Sequence, residues 1–253
     1  NATETKNWAN GYGFSPIGYH GRLFRGNYNG QGHCILGLRI NRPNHNDCGL
    51  FGRTGVGAKI GDLKIEYGII TGKISIGGIV GAAIETTIEN CSYEGQIHGD
   101  ENIGGLVGTT NNSVVLRSSS YGSVHGSVHR IGGLIGENGV DSELIDCYSN
   151  SDVNGSNKTG GLVGLNTTSS IILRSYSTGK ISLRQGGYWN GGLIGITNHN
   201  ATISASFWDI NSSGQSTSAG TGAMGKTTTE MKTPSTFLDA GWDFNQTGGT
   251  WKM

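Results

Sequence analysis

The chain has 253 residues, with 18 Lys and Arg balanced by 18 Asp and Glu, a charged fraction of 14% and 46 glycines. This balance excludes the broad basic field that draws proteins to nucleic acid or anionic membrane, and no apolar run is long enough to span a bilayer. Glycine at more than twice its ordinary share would suggest disorder if it were aperiodic, but here it recurs at a fixed interval beside aliphatic pairs.

Nothing at Asn1 resembles a signal peptide, so a secreted chain would have lost its targeting segment. Residues 1–52 read as irregular opening coils, with aromatics at Trp8, Tyr12, Phe14, Tyr19, Phe24 and Tyr28. Alternation from Cys34 to Ile40 predicts a strand, and Pro43, Asn44 and Asn46 predict the turn after it. Leu63, Ile65 and Tyr67 alternate likewise.

The organising motif is Gly160-Gly161-Leu162-Val163-Gly164 and its copies. Its glycine ahead of the aliphatic pair falls at 49, 78, 105, 133, 161 and 192, in steps of 29, 27, 28, 28 and 31 residues. Between the motifs an aliphatic column (Ile88, Val115, Leu144, Ile172) is followed by a polar one (Asn90, Arg117, Asp146, Arg174) and a small one (Cys91, Ser118, Cys147, Ser175). Short β-branched strands punctuated by Gly, Asn and Ser, repeating about every 28 residues, predict an all-β parallel β-helix, or β-solenoid. A helix would need a period of 3.6 and far fewer glycines. The chain reads as one domain over 1–253: opening coils 1–52, repeat coils 53–200, and a closing strand, loop and C-terminal cap over 201–253. The aromatic tail, with Trp242, Phe244 and Trp251, is expected to cover the open end of the solenoid.

Stacked coils about 4.8 Å apart place Cys91 and Cys147, two coils apart, roughly 9–10 Å from each other, beyond the ~7 Å reach of a disulfide. A Cys34–Cys48 bridge stays open. Asp146 is expected between Arg117 and Arg174 in an exposed ladder, and Tyr148, Tyr176 and Phe207 align. Alternation alone leaves open whether the small column or the aromatic one faces inward.

Together, Phe14-Ser15-Pro16-Ile17-Gly18, Gly49-Leu50-Phe51-Gly52, the five later Gly-Gly-aliphatic repeats, Ser175-Tyr176-Ser177-Thr178-Gly179 and the closing Phe207-Trp208-Asp209 resemble the GLUG repeat family. The resemblance covers nearly all of the chain. It implies an extracellular β-solenoid of the kind found in large secreted or surface proteins of bacteria and archaea, without implying catalysis. The family usually carries another strand ahead of the Phe-any-Pro-Ile-Gly segment, which is absent here and is expected either to precede Asn1 or to come from another chain.

Several motifs suggest chemistry. Gly220 to Thr227 matches the P-loop pattern but has neither the buried strand before it nor the helix after it that converge N–H groups on phosphate. His98 and His125 share a column, with His129 nearby, yet no metal-ligand framework is evident. Glu94, Asp100 and Glu101 form the densest acidic cluster but do not pair across a groove as glycosidase carboxylates do. The Thr pairs at 109–110 and 167–168 lack the regularity of an ice-binding ladder. The longest repeat step carries Tyr188 and Trp189 on an inserted loop, the candidate ligand contact. Sequons mark Asn1, Asn111, Asn154, Asn157, Asn166, Asn200, Asn211 and Asn245 as candidate glycosylation sites, with Asn90, beside a core slot, the weakest.

The predicted function is therefore a non-catalytic extracellular solenoid, secreted or at the cell surface, with a structural or adhesive role. In one version it is a subunit of a surface filament that associates end to end. In the alternative it is a stalk or adhesin module that binds glycan or a host-surface protein through lateral loops. A polysaccharide lyase or hydrolase ranks below both. No catalytic residue, cofactor or metal is assigned, and neither nucleic-acid binding nor membrane insertion is expected.

Overall fold

The computed structural model describes residues 1–184, 186–244 and 251. Its chain winds into a parallel β-solenoid of about 6 turns with coils roughly 28 residues apart. Each coil contributes to three sheets. The short face stacks seven three-residue strands, from Asn27–Asn29 through Lys59–Gly61 and Thr87–Glu89 to Thr202–Ser204. The glycine face stacks six strands, from Phe51–Arg53 to Ile194–Thr197, that run out of the repeated motif. The long face carries the longest strands, Ser92–Gly104 and Ser119–Gly132.

Register follows the columns read from the sequence. Ile60, Ile88, Val115, Leu144, Ile172 and Ile203 stack rung on rung, as do Ile97, Val124, Val153 and Ile181. The motif's aliphatic pair, such as Leu134 and Ile135, is fully buried. Each such side chain contributes about 1.5–3 kcal/mol on burial, and the columns form one continuous core.

The motif is glycine-rich because another column presses on it. Tyr93, Ser120, Ser149, Ser177 and Trp208 point inward over Gly78, Gly105, Gly133, Gly161 and Gly192. A Cβ on Gly133 would stand 2.1 Å from the Gly161 carbonyl oxygen and 2.2 Å from Ser149 Oγ. The small residues also tie coils together, with the Ser120 hydroxyl donating to the Gly133 carbonyl at 2.6 Å and the Ser177 hydroxyl to Gly192 at 2.7 Å.

The question of which neighbour faces inward is settled at a corner. Asn90, Arg117, Asp146, Arg174 and Ala205 all adopt left-handed backbone, with φ of 51°, 44°, 55°, 44° and 47°. That turn sends the Cys/Ser column inward and Tyr148, Tyr176 and Phe207 to the outer side of the long face. Inside, the Cys91, Ser118, Cys147 and Ser175 N–H groups donate to Ser118 Oγ, Cys147 Sγ, Ser175 Oγ and Ser206 Oγ, one coil further on. Each side chain in turn donates to the carbonyl two residues back, as Ser118 does to Leu116 at 2.7 Å. Corner donors that would otherwise be buried without partners are thus satisfied.

One open alternative closes and two expectations need correction. The four cysteines are free, Cys34 exposed and Cys48 buried, so no Cys34–Cys48 bridge forms. Tyr67 does not continue the alternation of Leu63 and Ile65, because it takes φ 56° at a register shift and turns outward. The arginine–aspartate ladder is one-sided. Arg174 grips both Asp146 oxygens at 2.6 and 3.0 Å, while Arg117 reaches Glu89 and Asn90, each at 2.9 Å.

Burial pushes the Cys48, Cys91 and Cys147 thiols up to about 12, leaving them protonated and inaccessible. The folded chain is therefore expected to titrate one thiol, Cys34, with a disulfide reagent, and four after denaturation. Reaction of two or more at the rate of Cys34 would contradict the burial of this column.

Candidate functional site: an aromatic cleft on the long face

The chain after the last full coil does two separate jobs. Trp208 turns inward, joins the solenoid core and donates its Nε1–H to the Gln215 carbonyl at 2.9 Å. Ser218 Oγ then accepts the Leu193 and Ile194 N–H groups at 3.3 and 2.8 Å, and Ala223–Lys226 adds a parallel strand to Ser206–Asp209. These residues, rather than the aromatic tail, cover the end. The strand also occupies the P-loop-like stretch, and the helix after it, Thr228–Met231, has four residues closed by a Thr227–Glu230 capping box.

The aromatic tail goes elsewhere. After helix Pro234–Leu238 it folds back along the outside of the long face. There Phe207, Phe237 and Trp242 form a second cluster, separate from the core, joined by Tyr176, Phe244 and Trp251. Trp242 is fixed by its Nε1–H, which donates to the Ala205 carbonyl at 2.9 Å.

Between this tail and the wall lies a cleft of about 540 Å³. Its floor is the outward aromatic column. Tyr148 and Tyr176 stack one coil apart, ring centroids 5.0 Å apart and planes within 4°, and Tyr121 meets Tyr148 edge-on and bonds it hydroxyl to hydroxyl. Trp251 leans over both stacked rings at 6.1 and 5.8 Å. The polar rim is made by Asn150, Thr178, Ser212 and Lys232, while buried Asp209 accepts from Thr228 Oγ1 at 2.8 Å. Burial, with Tyr148 close by, raises the Tyr176 phenol above the ordinary tyrosine range.

The expected ligand loop lies apart from this cleft. Tyr188 and Trp189 are 52% and 53% exposed and pack on each other at 4.5 Å. The loop is held down by the Thr159 N–H donating to the Trp189 carbonyl at 3.2 Å, and Lys158 Nζ lies 5.7 Å from the Trp189 ring. Among the candidate glycosylation sites, Asn1, Asn111, Asn200 and Asn211 are exposed, and Asn154 and Asn157 half-buried. Asn166 is fully buried in an internal ladder, where Asn138 Nδ2 donates to Asn166 Oδ1 at 2.8 Å and Thr110 Oγ1 to Asn138 Oδ1 at 3.2 Å. That position leaves no path for a glycan on the folded chain. Asn245 lies outside the described residues. Asn90 proves exposed, but its side chain is tied to Asp62 and Arg117.

His98 and His125 stack as their column predicted, centroids 4.9 Å apart and planes within 4°. Among the described residues no three His, Cys, Asp or Glu side chains are placed to hold a metal. Nearby Glu101 is tied to His129 and Arg130 at 2.8 and 2.7 Å, and Asp100 accepts from Ser127 Oγ at 2.5 Å. Burial first, then His125, holds the His98 imidazole below the ordinary histidine range. As pH falls the unfolded chain takes up that proton first, so stability is full above about pH 6.5 and declines below it towards the lower native value. A His98→Gln variant is expected to flatten the fall in Tm between pH 7 and 5. An unchanged slope would contradict this assignment.

No family model matches the chain, and no solved structure matches it. A stretch of 101 residues, 40% of the chain, is 36% identical to halomucin of Haloquadratum walsbyi, of which it covers 1%. No helix among the described residues is long and apolar enough to cross a membrane.

Proposed function

We propose that the chain is a module of an extracellular, surface-displayed protein of the GLUG-repeat kind, with an adhesive or structural role exercised through its lateral surface. The likeness to a protein whose name marks it as a mucin supports the extracellular setting. The observation that carries the lateral reading is that both ends of the solenoid are largely covered while the side wall bears the aromatic cleft. At the first coil, Phe14 and Phe24 N–H groups donate to the Arg39 and Arg53 carbonyls at 2.8 and 3.0 Å, and the Ile17 N–H donates to Leu50 at 2.9 Å. At the other end Trp208 and Ala223–Lys226 close the core. Covered edges discourage strand pairing between copies.

A second reading keeps end-to-end association, because Asn27–Asn29 and Thr202–Ser204 are the edge strands of the short face and each has a single neighbour in its sheet. Antibody labelling of intact cells that express the parent protein tests the setting. Labelling before lysis is expected, and a signal only after lysis would refute surface display.

A further inference from the structure

We propose that the cleft between the long face and the C-terminal segment is a binding site for a neutral, pyranose-containing glycan. The inference deepens the adhesive reading and rests on it for the setting, but the geometry stands by itself. A tail that merely stabilised the wall would close on it at interior density. Instead Trp242 and Trp251 touch the stacked tyrosines only at ring-centroid distances of 5.8–6.1 Å, and the segment leaves about 540 Å³ beside them, inside the usual range for small-ligand sites.

The chemistry of the lining selects the ligand class. The facing surfaces of Tyr148 and Tyr176 are taken up by their own stacking, so the rings of the covering segment are the ones that suit an apolar C–H face, while Asn150, Thr178 and Lys232 at the rim offer both donors and acceptors for hydroxyls. Trp251 adds a buried indole N–H with no acceptor among the described residues. A hydroxyl oxygen entering the cleft would satisfy it. One lysine and one buried, already hydrogen-bonded aspartate give no excess of charge. A flat ring with one apolar face and a polar edge matches these features, whereas a phosphorylated or polyanionic ligand would lack its counter-charges. The Tyr148–Tyr176 column runs along the solenoid axis, and Tyr121 of the preceding coil stands two residues off it, in register with Asn150, so a sugar chain lying along the axis would meet one aromatic side chain at each of three coils.

The test uses the full chain and a panel of hexasaccharides built from β-linked glucose, β-linked N-acetylglucosamine, α-linked mannose and α-linked galacturonate. Binding is read by tryptophan fluorescence and by saturation transfer from aromatic protons. The expected result is saturable binding of at least one neutral sugar. Tyr121→Ala should weaken it about tenfold, on the scale of one aromatic contact, and Asn150→Trp, which fills the rim, should abolish it. A Tyr188→Ala, Trp189→Ala double variant should bind as the parent does. Both cleft changes lie outside the core, and unchanged circular dichroism and Tm confirm the fold. Four results would overturn the proposal: no sugar binding by the parent, binding unaffected by both cleft changes, exclusive binding of galacturonate, or binding of an anilinonaphthalene dye that no sugar displaces. Loss of binding in the loop variant alone would move the site to Tyr188 and Trp189 and leave the adhesive reading intact. Surface labelling without any sugar binding would remove the glycan site and leave surface display standing.

Discussion

Replacing Gly133 by alanine is expected to destabilise the chain by about 3 kcal/mol or more, the upper end of overpacking costs. Gly133 has no unusual φ to explain its identity, so the effect is one of space. The added methyl would meet the Gly161 carbonyl oxygen at 2.1 Å and Ser149 Oγ at 2.2 Å. Ser149 could rotate, but the carbonyl is backbone of the next coil and could not. Relief would require prising two coils apart, with loss of the Leu134 N–H bond to Leu162 at 2.9 Å. Gly61→Ala is the matched control. It sits on the short face, where the nearest atom to an added Cβ is Glu89 Cγ at 3.5 Å. With ordinary backbone and ordinary contacts, alanine there is expected to be neutral or to stabilise by up to about 1 kcal/mol through the unfolded chain. Urea denaturation of the two variants measures the difference. Equal midpoints would show that the glycine column is not packed as described.

Trp208→Ala is expected to cost about 3–5 kcal/mol, the range for removing a buried large aromatic side chain. Trp208 is 5% exposed, fills the space over Gly192 and anchors the covering segment through Gln215. Because each coil of a solenoid leans on its neighbours, the loss should appear as fraying of the last coils ahead of global unfolding. Hydrogen exchange resolved by peptide should show faster exchange across residues 190–226, with residues 87–138 still protected. Trp242→Ala should behave differently, since its ring belongs to the outer cluster. There, faster exchange should be confined to residues 227–244. If the two variants opened the same residues, the division between end cover and side cover would be wrong.

The parts of the fold that depend on one coil repeating another were legible in the sequence. The 27–31 residue steps, the buried aliphatic columns and the pairing of His98 with His125 all follow from stacking like on like. What depends on a residue's own backbone was not. Left-handed conformation at Arg117, Asp146 and Arg174 decides that cysteine and serine face in and tyrosine faces out; Asn90 and Asp146 are residue types that tolerate it, but the two arginines of the column give no such sign. The tail was misplaced for a related reason. Its aromatics fit any apolar surface, and the end of the solenoid was the obvious one until Trp208 proved to occupy it. The partner surface was nonetheless visible as the aligned Tyr148, Tyr176 and Phe207. Asn166 reads as a surface sequon locally, and only its column, shared with Asn138 and Thr110, marks it as internal.

The proposed function needs a solenoid whose ends stay unpaired and whose side wall is the contact surface. The mass of the purified chain across concentration, by light scattering with electron microscopy of the same sample, tests that most directly. A stable species at the monomer mass of 26.5 kDa is the predicted result. Ordered fibres that lengthen with concentration would contradict it and make the free edges at Asn27–Asn29 and Thr202–Ser204 the functional surface.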